Sequence, residues 1–213
     1  MTRPFTLVVL ALALAGSVGC TRAKSGPEAS VPADTPGWHR VATEADRKRL
    51  REWRKAWIEA LGAAKASGHQ AEIAAAGTLL DPDAALPGID LKPGDYHCRT
   101  LKLGAKGNGN LDYVAYPPAS CRVGPAEGQG TMAFVRLDGP QRPIGRLFAD
   151  GERRMIFLGT LQLGDEQGSL RYGHDARRDM IGLLERVGPG RWRLVFPRPA
   201  FESKLDVVEL TAS

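Results

Sequence analysis

The side chains that could do chemistry in this chain are few, and the least ordinary grouping is cationic. Arg142, Arg146, Arg171, Arg177 and Arg178 recur through the second half, with Asp175 and Asp179 close by. A guanidinium fork matches a carboxylate or phosphate two hydrogen bonds at a time. Arg142, Arg146 and Arg178, with His174 and Asp179, therefore form a candidate anionic-ligand site. The competing reading of each arginine, surface ion pairing between neighbouring strands, is the stronger one. His174-Asp175, after Tyr172-Gly173, could act as an acid–base pair, but the same residues make a good polar turn and are read as one. The carboxylate pairs Asp81/Asp83 and Asp165/Glu166 sit too close in sequence to face each other across a cleft, as glycoside hydrolysis requires.

Other chemistries lack their signatures. Ser120, Ser169 and Ser203 have no nucleophile-elbow context. The stretch Gly104 to Asn110 has no helix after it that would make a phosphate cradle. Four histidines, at 39, 69, 97 and 174, show no metal-ligand spacing. No catalytic, cofactor-binding or metal-ligating residue is assigned, and no cofactor is expected.

The elements that must position these residues begin after a leader. Arg3, an apolar run from Phe5 to Ala15 and the small residues Gly16 to Gly19 follow the order of a secretory signal. The run falls short of the roughly 20 apolar residues that a membrane span needs. The tail Ser17-Val18-Gly19-Cys20 resembles the lipobox of bacterial lipoproteins, with Ser17 where leucine is usual. That resemblance implies an acylated Cys20, two acyl chains giving stable anchorage. Thr21, in place of the aspartate that marks inner-membrane retention, points to the outer membrane. The alternative is plain cleavage, leaving a soluble periplasmic protein with a free thiol. Residues 20–37, with Pro27, Pro32 and Pro36, read as a disordered tether.

Residues 38–213 are enough for one domain with a proper core. The net charge of +5, one unit of it from the leader's Arg3, is too small and diffuse for a nucleic-acid footprint. Thr43 with Asp46 opens a helix, and Leu50, Trp53, Trp57 and Leu61 mark its apolar face. Arg47, Lys48, Arg51, Glu52, Arg54, Lys55 and Glu59 form the solvated face. Gly62 to Gly68 is expected to break the helix, with a short second one at 69–76, so that 38–80 is helical.

From 94 to 213 short alternating segments are separated by turn signals. Strands are expected at 96–103, 111–116, 131–137, 144–148, 154–163, 179–187, 191–196 and 204–210. Met155, Phe157, Gly159, Leu161 and Leu163 share one face, as do Trp192, Leu194 and Phe196. Gly159 and Gly182 lie inside strands, where glycine often marks a bulge or barrel corner. The fold class is therefore α+β, mainly β: an N-terminal helical segment packed on an antiparallel barrel of about eight strands, or on a two-sheet sandwich.

In an oxidising compartment Cys98 and Cys121, left over once Cys20 is set aside, should pair, closing a loop of about 24 residues worth roughly 3 kcal/mol. A metal site or a catalytic thiol has less support.

Seven segments together carry a resemblance: LLDPDAALPG (79–88), PGDYHCRTLKLG (93–104), YPPASCRV (116–123), QRPIGRL (141–147), MIFLGTLQLGDE (155–166), YGHDARRDM (172–180) and GRWRLVFPRPAFESKLDVVEL (190–210). They resemble the domain of unknown function DUF4893. The resemblance implies an exported alphaproteobacterial context and a shared fold, and carries over no catalytic residue.

Two function classes follow. One is a non-catalytic cell-envelope module, in the periplasm and tethered to a membrane through Cys20, that binds an envelope protein, a glycan or a lipid headgroup. A narrower version is a periplasmic protease or lysozyme inhibitor. The other is an envelope hydrolase with a dispersed site around His174, Asp175 and Asp179. A deep pocket lined by His174 would favour the enzyme, and a side-chain-filled barrel the binder.

Overall fold

A computed structural model describes residues 37–128 and 130–213. The signal segment, Cys20 and all of the tether but Gly37 lie outside the described residues.

Four short helices come first. α1 (Gly37–Val41) buries Trp38, whose Nε1–H donates to Asp150 Oδ1 at 3.0 Å. α2 (Glu44–Arg51) starts at Thr43, whose Oγ1 accepts the Asp46 N–H at 3.2 Å. That hydroxyl satisfies one of the donors a helix start leaves open. α3 (Trp53–Ala66) and α4 (Gln70–Ala76) follow, and a 3₁₀ turn at Gly77–Leu79 ends the helical part. The single helix expected over 43–61 is thus two, divided at Glu52, and α3 runs through Gly62 instead of breaking there. The division lets α2 rest on one strand while α3 lies across others. Gly62 is exposed, where glycine costs the helix only about 1 kcal/mol.

Nine strands follow: β1 (Gly94–Ala105), β2 (Tyr113–Ala115), β3 (Ala119–Pro125), β4 (Thr131–Arg136), β5 (Gln141–Ala149), β6 (Arg154–Leu163), β7 (Asp179–Gly188), β8 (Arg191–Pro197) and β9 (Ser203–Ala212). Every pairing is antiparallel, and β1 pairs with β9 from Tyr96↔Ala212 to Ala105↔Ser203. This last ladder closes β1 and β3 to β9 into an eight-stranded barrel, with β2 as a short flap on Leu101–Leu103. The barrel alternative holds and the sandwich does not. β3, absent from the expected strands, contributes Cys121, and β2 is shorter than expected. The Cys98–Cys121 disulfide joins adjacent strands β1 and β3, with Cα atoms 5.9 Å apart.

Strands β6 to β9 are buried along most of their length on both faces. Their inward residues, such as Phe157, Leu184, Leu194 and Leu210, fill the barrel. Their outward residues, such as Ile156, Ile181, Val195 and Val207, meet Trp57, Ala60 and Ala64 of α3 and neighbouring helical residues in a second core. Covered on both faces, β6 reads as a largely apolar run from Met155 to Leu161. β3, open to solvent outside, alternates: Ala119, Cys121 and Val123 are buried while Ser120 and Arg122 are exposed.

Inside the barrel Phe134, Phe157 and Phe196 form a layer of edge-to-face rings, with centroids 6.0 and 5.3 Å apart. Gly145 and Gly159 are register partners beneath this layer. A Cβ on Gly159 would stand 2.2 Å from the Ile144 carbonyl oxygen and 2.6 Å from Phe157 Cζ. The strand glycines therefore mark space claimed by an aromatic ring.

Candidate ligand-binding site

The two ends of the barrel differ. One is plugged by the segment that leads into β1: Leu91 joins the interior core, Trp192 Nε1–H donates to the Ile89 carbonyl at 2.6 Å, and Tyr96 O–H donates to the Lys92 carbonyl at 2.7 Å. The other, beyond the phenylalanine layer, holds a cavity of about 220 Å³. Phe196, Leu161, Met180, Pro143 and Val208 supply apolar wall, while Tyr116, Pro140, Pro199 and Phe201 belong to the loops at its mouth.

Inward positions at this end turn polar. On β1 the inward series Tyr96, Cys98 is continued by Thr100 and Lys102, on β9 Leu210 and Val208 are continued by Asp206, and on β4 Phe134 is continued by Arg136. Lys102 Nζ donates to Gln141 Oε1 at 2.9 Å and lies 3.0 Å from Glu202 Oε2 and 3.3 Å from Asp206 Oδ2. Burial works against this ammonium, but the Asp206 and Glu202 carboxylates outweigh it and hold its pKa above the usual lysine value. Asp206, which also accepts from Ser203 Oγ–H, is pushed up by burial. With three partners around its three donors, Lys102 is a structural cation and not a free amine nucleophile.

Arg136 is placed differently. Its side chain is only 11% exposed, and its Nη1–H donates to Thr100 Oγ1 at 2.8 Å. Its Nε is buried without a hydrogen-bond partner, the nearest carboxylate being Asp138 at 3.8 Å. Burial lowers the guanidinium's pKa, with Asp138 opposing. At the mouth, Arg177 is exposed and stacks over the Phe201 ring, 5.4 Å from its centroid.

The residues expected to bind an anion are spread over several environments. Arg142 donates to the carbonyls of Gly139, Leu163, Gly164 and Glu166. Arg178 is held by both carboxylate oxygens of Glu166 and by the Leu161 carbonyl. These two arginines therefore brace the loop after β6. Arg146 is exposed, over the Phe148 ring. His174 is an exposed turn residue whose N–H donates to the Arg171 carbonyl. Asp179 borders the cavity, but its carboxylate accepts the Gly173 N–H and burial raises its pKa. None of the four histidines lines the cavity. Among the described residues, no cluster of three or more His, Cys, Asp or Glu side chains could hold a metal ion.

A family model, a domain of unknown function (DUF4893), matches residues 38–210. No curated protein and no solved structure matches the chain.

Proposed function

Because the chain belongs to the DUF4893 family, which assigns no activity, we propose from the site that it is an exported, lipid-anchored cell-envelope protein whose barrel binds a small ligand without transforming it. The observation that carries the binding reading is the asymmetry of the barrel. One end is sealed by Leu91, Trp192 and Tyr96 and the other keeps an apolar-walled cavity. A closed barrel packed throughout needs no such space, and mouths of small barrels are a common place for ligands. A hydrolase reading has less to draw on, because His174 is away from the cavity and the Lys102–Asp206 pair is internally satisfied.

Export and anchorage rest on the sequence of residues 1–20 and on the Cys98–Cys121 disulfide, a bond that persists in oxidising compartments. The periplasmic side of the outer membrane is the location the leader favours. Two experiments test the two halves. Cys20→Ser should move the protein from the membrane pellet to the soluble periplasmic fraction, and retention after a high-salt wash would refute the acyl anchor. Leu161→Trp, which fills the cavity from its wall, should abolish the thermal stabilisation that small aromatic probes give the parent; equal stabilisation of both proteins would refute binding inside the barrel.

A further inference from the structure

We infer that the cavity selects a small amphiphile with one carboxylate, its apolar body against Phe196, Leu161 and Met180 and its anionic group on the guanidinium of Arg136. The inference rests on the binding reading above and adds the ligand's chemistry to it.

Charge in the cavity is divided unequally between its cations. Lys102 is neutralised in place by Glu202 and Asp206. Arg136 spends one donor on Thr100 and keeps Nε buried without a partner, and Asp138, the nearest acid, is 52% exposed at 3.8 Å. The charge of this nearly buried guanidinium is thus balanced only by a half-exposed carboxylate beyond hydrogen-bond distance, and an ionised acceptor in the cavity adds charge-assisted hydrogen bonds to it. Arg177, for which the described residues provide no ion pair, adds a second positive charge at the mouth. An entering anion therefore meets two guanidinium cations without a hydrogen-bonded carboxylate, while an entering cation meets Glu202 and Asp206, already engaged by Lys102, and Asp179, whose carboxylate accepts the Gly173 N–H.

Size narrows the ligand further. A cavity of about 150 Å³ lined by apolar side chains takes one benzene, so the 220 Å³ here holds a ring or short branched chain with a small headgroup, not a whole lipid. A ligand of about ten non-hydrogen atoms at typical efficiencies binds in the millimolar to micromolar range, which sets the concentrations to use.

The probes are 4-methylbenzoate, its neutral isostere 4-methylbenzamide, and acetate, each titrated into the folded wild-type domain by calorimetry and by amide chemical shifts. We expect 4-methylbenzoate to bind at least tenfold more tightly than 4-methylbenzamide and than acetate, with shifts at Thr100, Arg136 and Phe196. Arg136→Met should remove the preference for the benzoate while leaving the benzamide affinity within about twofold. Equal wild-type affinity for benzoate and benzamide would overturn the anionic head while leaving the cavity a binding site. Acetate binding as tightly as benzoate would overturn the apolar body. No binding of any probe at millimolar concentration would overturn both this inference and the binding reading. The wild-type comparison stands whether or not the Arg136 variant folds.

Discussion

Trp57→Ala tests whether the helical segment is part of the folded core. Trp57 is fully buried between α3 and the barrel. Its Nε1–H donates to the Leu80 carbonyl at 3.2 Å, and the Arg193 guanidinium lies 4.6 Å from its ring centroid. Arg193 is itself fully buried, bonded to Glu185 at 2.8 Å and to the carbonyls of Thr78, Leu79 and Asp81. Truncating a buried tryptophan costs about 3–5 kcal/mol. Loss of the aromatic face over Arg193 and of a donor to Leu80 places this site at the upper end, near 5 kcal/mol. For a domain of this size that is a fall in melting temperature of about 10–20 °C. Trp57→Phe keeps most of the packing and the ring under Arg193 but loses the Nε1–H, and should cost about 1–2 kcal/mol. Both values are read from urea unfolding at unchanged m. A Trp57→Ala protein within about 1 kcal/mol of the parent would refute the reasoning and make the helices a detachable, partner-seeking element.

Non-reducing peptide mapping should recover Cys98 linked to Cys121, and a Cys98→Ala/Cys121→Ala protein should lose about 3 kcal/mol in urea unfolding, the chain-entropy value for a loop of that length; freely alkylated thiols in the native protein would refute the bridge. Gly159→Ala forces a Cβ to within 2.2 Å of the Ile144 oxygen and should destabilise by at least about 2 kcal/mol through overpacking and strand displacement, whereas Gly62→Ala, with open space around the Cβ, should stabilise α3 by up to about 1 kcal/mol. Lys102→Met leaves the buried Asp206 and its neighbour Glu202 without their cation and should cost about 3–5 kcal/mol near neutral pH. Adding Asp206→Leu should recover much of that loss, and additive effects in the double variant would show that the two groups are not coupled.

Local signals identified most of the elements. The Thr43/Asp46 opening, the tryptophan-bearing stripe and the turn dipeptides Asp150-Gly151 and Pro189-Gly190 work over a few residues: the helical start and the two hairpins lie where these signals put them, while the break at Glu52 and the helix through Gly62 do not follow from them. β3 escaped because Pro117-Pro118 and Gly124-Pro125 frame it as loop, although Ala119, Cys121 and Val123 alternate correctly. Its small inward residues give a weak apolar signal, and the ladders to β1 and β4 give the segment its strand form.

The site itself was harder to read. Lys102, Arg136 and Asp206 were each visible as a charged residue at a position in phase with an apolar face, a signal that could have singled them out as inward-pointing. Their convergence could not be read, because Lys102 meets Asp206 across a sequence separation of 104 and Arg136 meets Thr100 across 36. The arginines that stood out in sequence, Arg142 and Arg178, are instead consumed by loop carbonyls and Glu166. Composition and periodicity by themselves determined a mainly antiparallel β domain with helices at its start, because hydrogen-bonding patterns and turn chemistry act between near neighbours. Closure of the barrel by β1 and β9, the sealed and open ends, and the placement of Arg136 beside the cavity with its buried Nε left without a hydrogen-bond partner were decided by the tertiary structure. They depend on which strands meet and on which side chains then compete for the same donors, and no short stretch of sequence contains both sides of that competition.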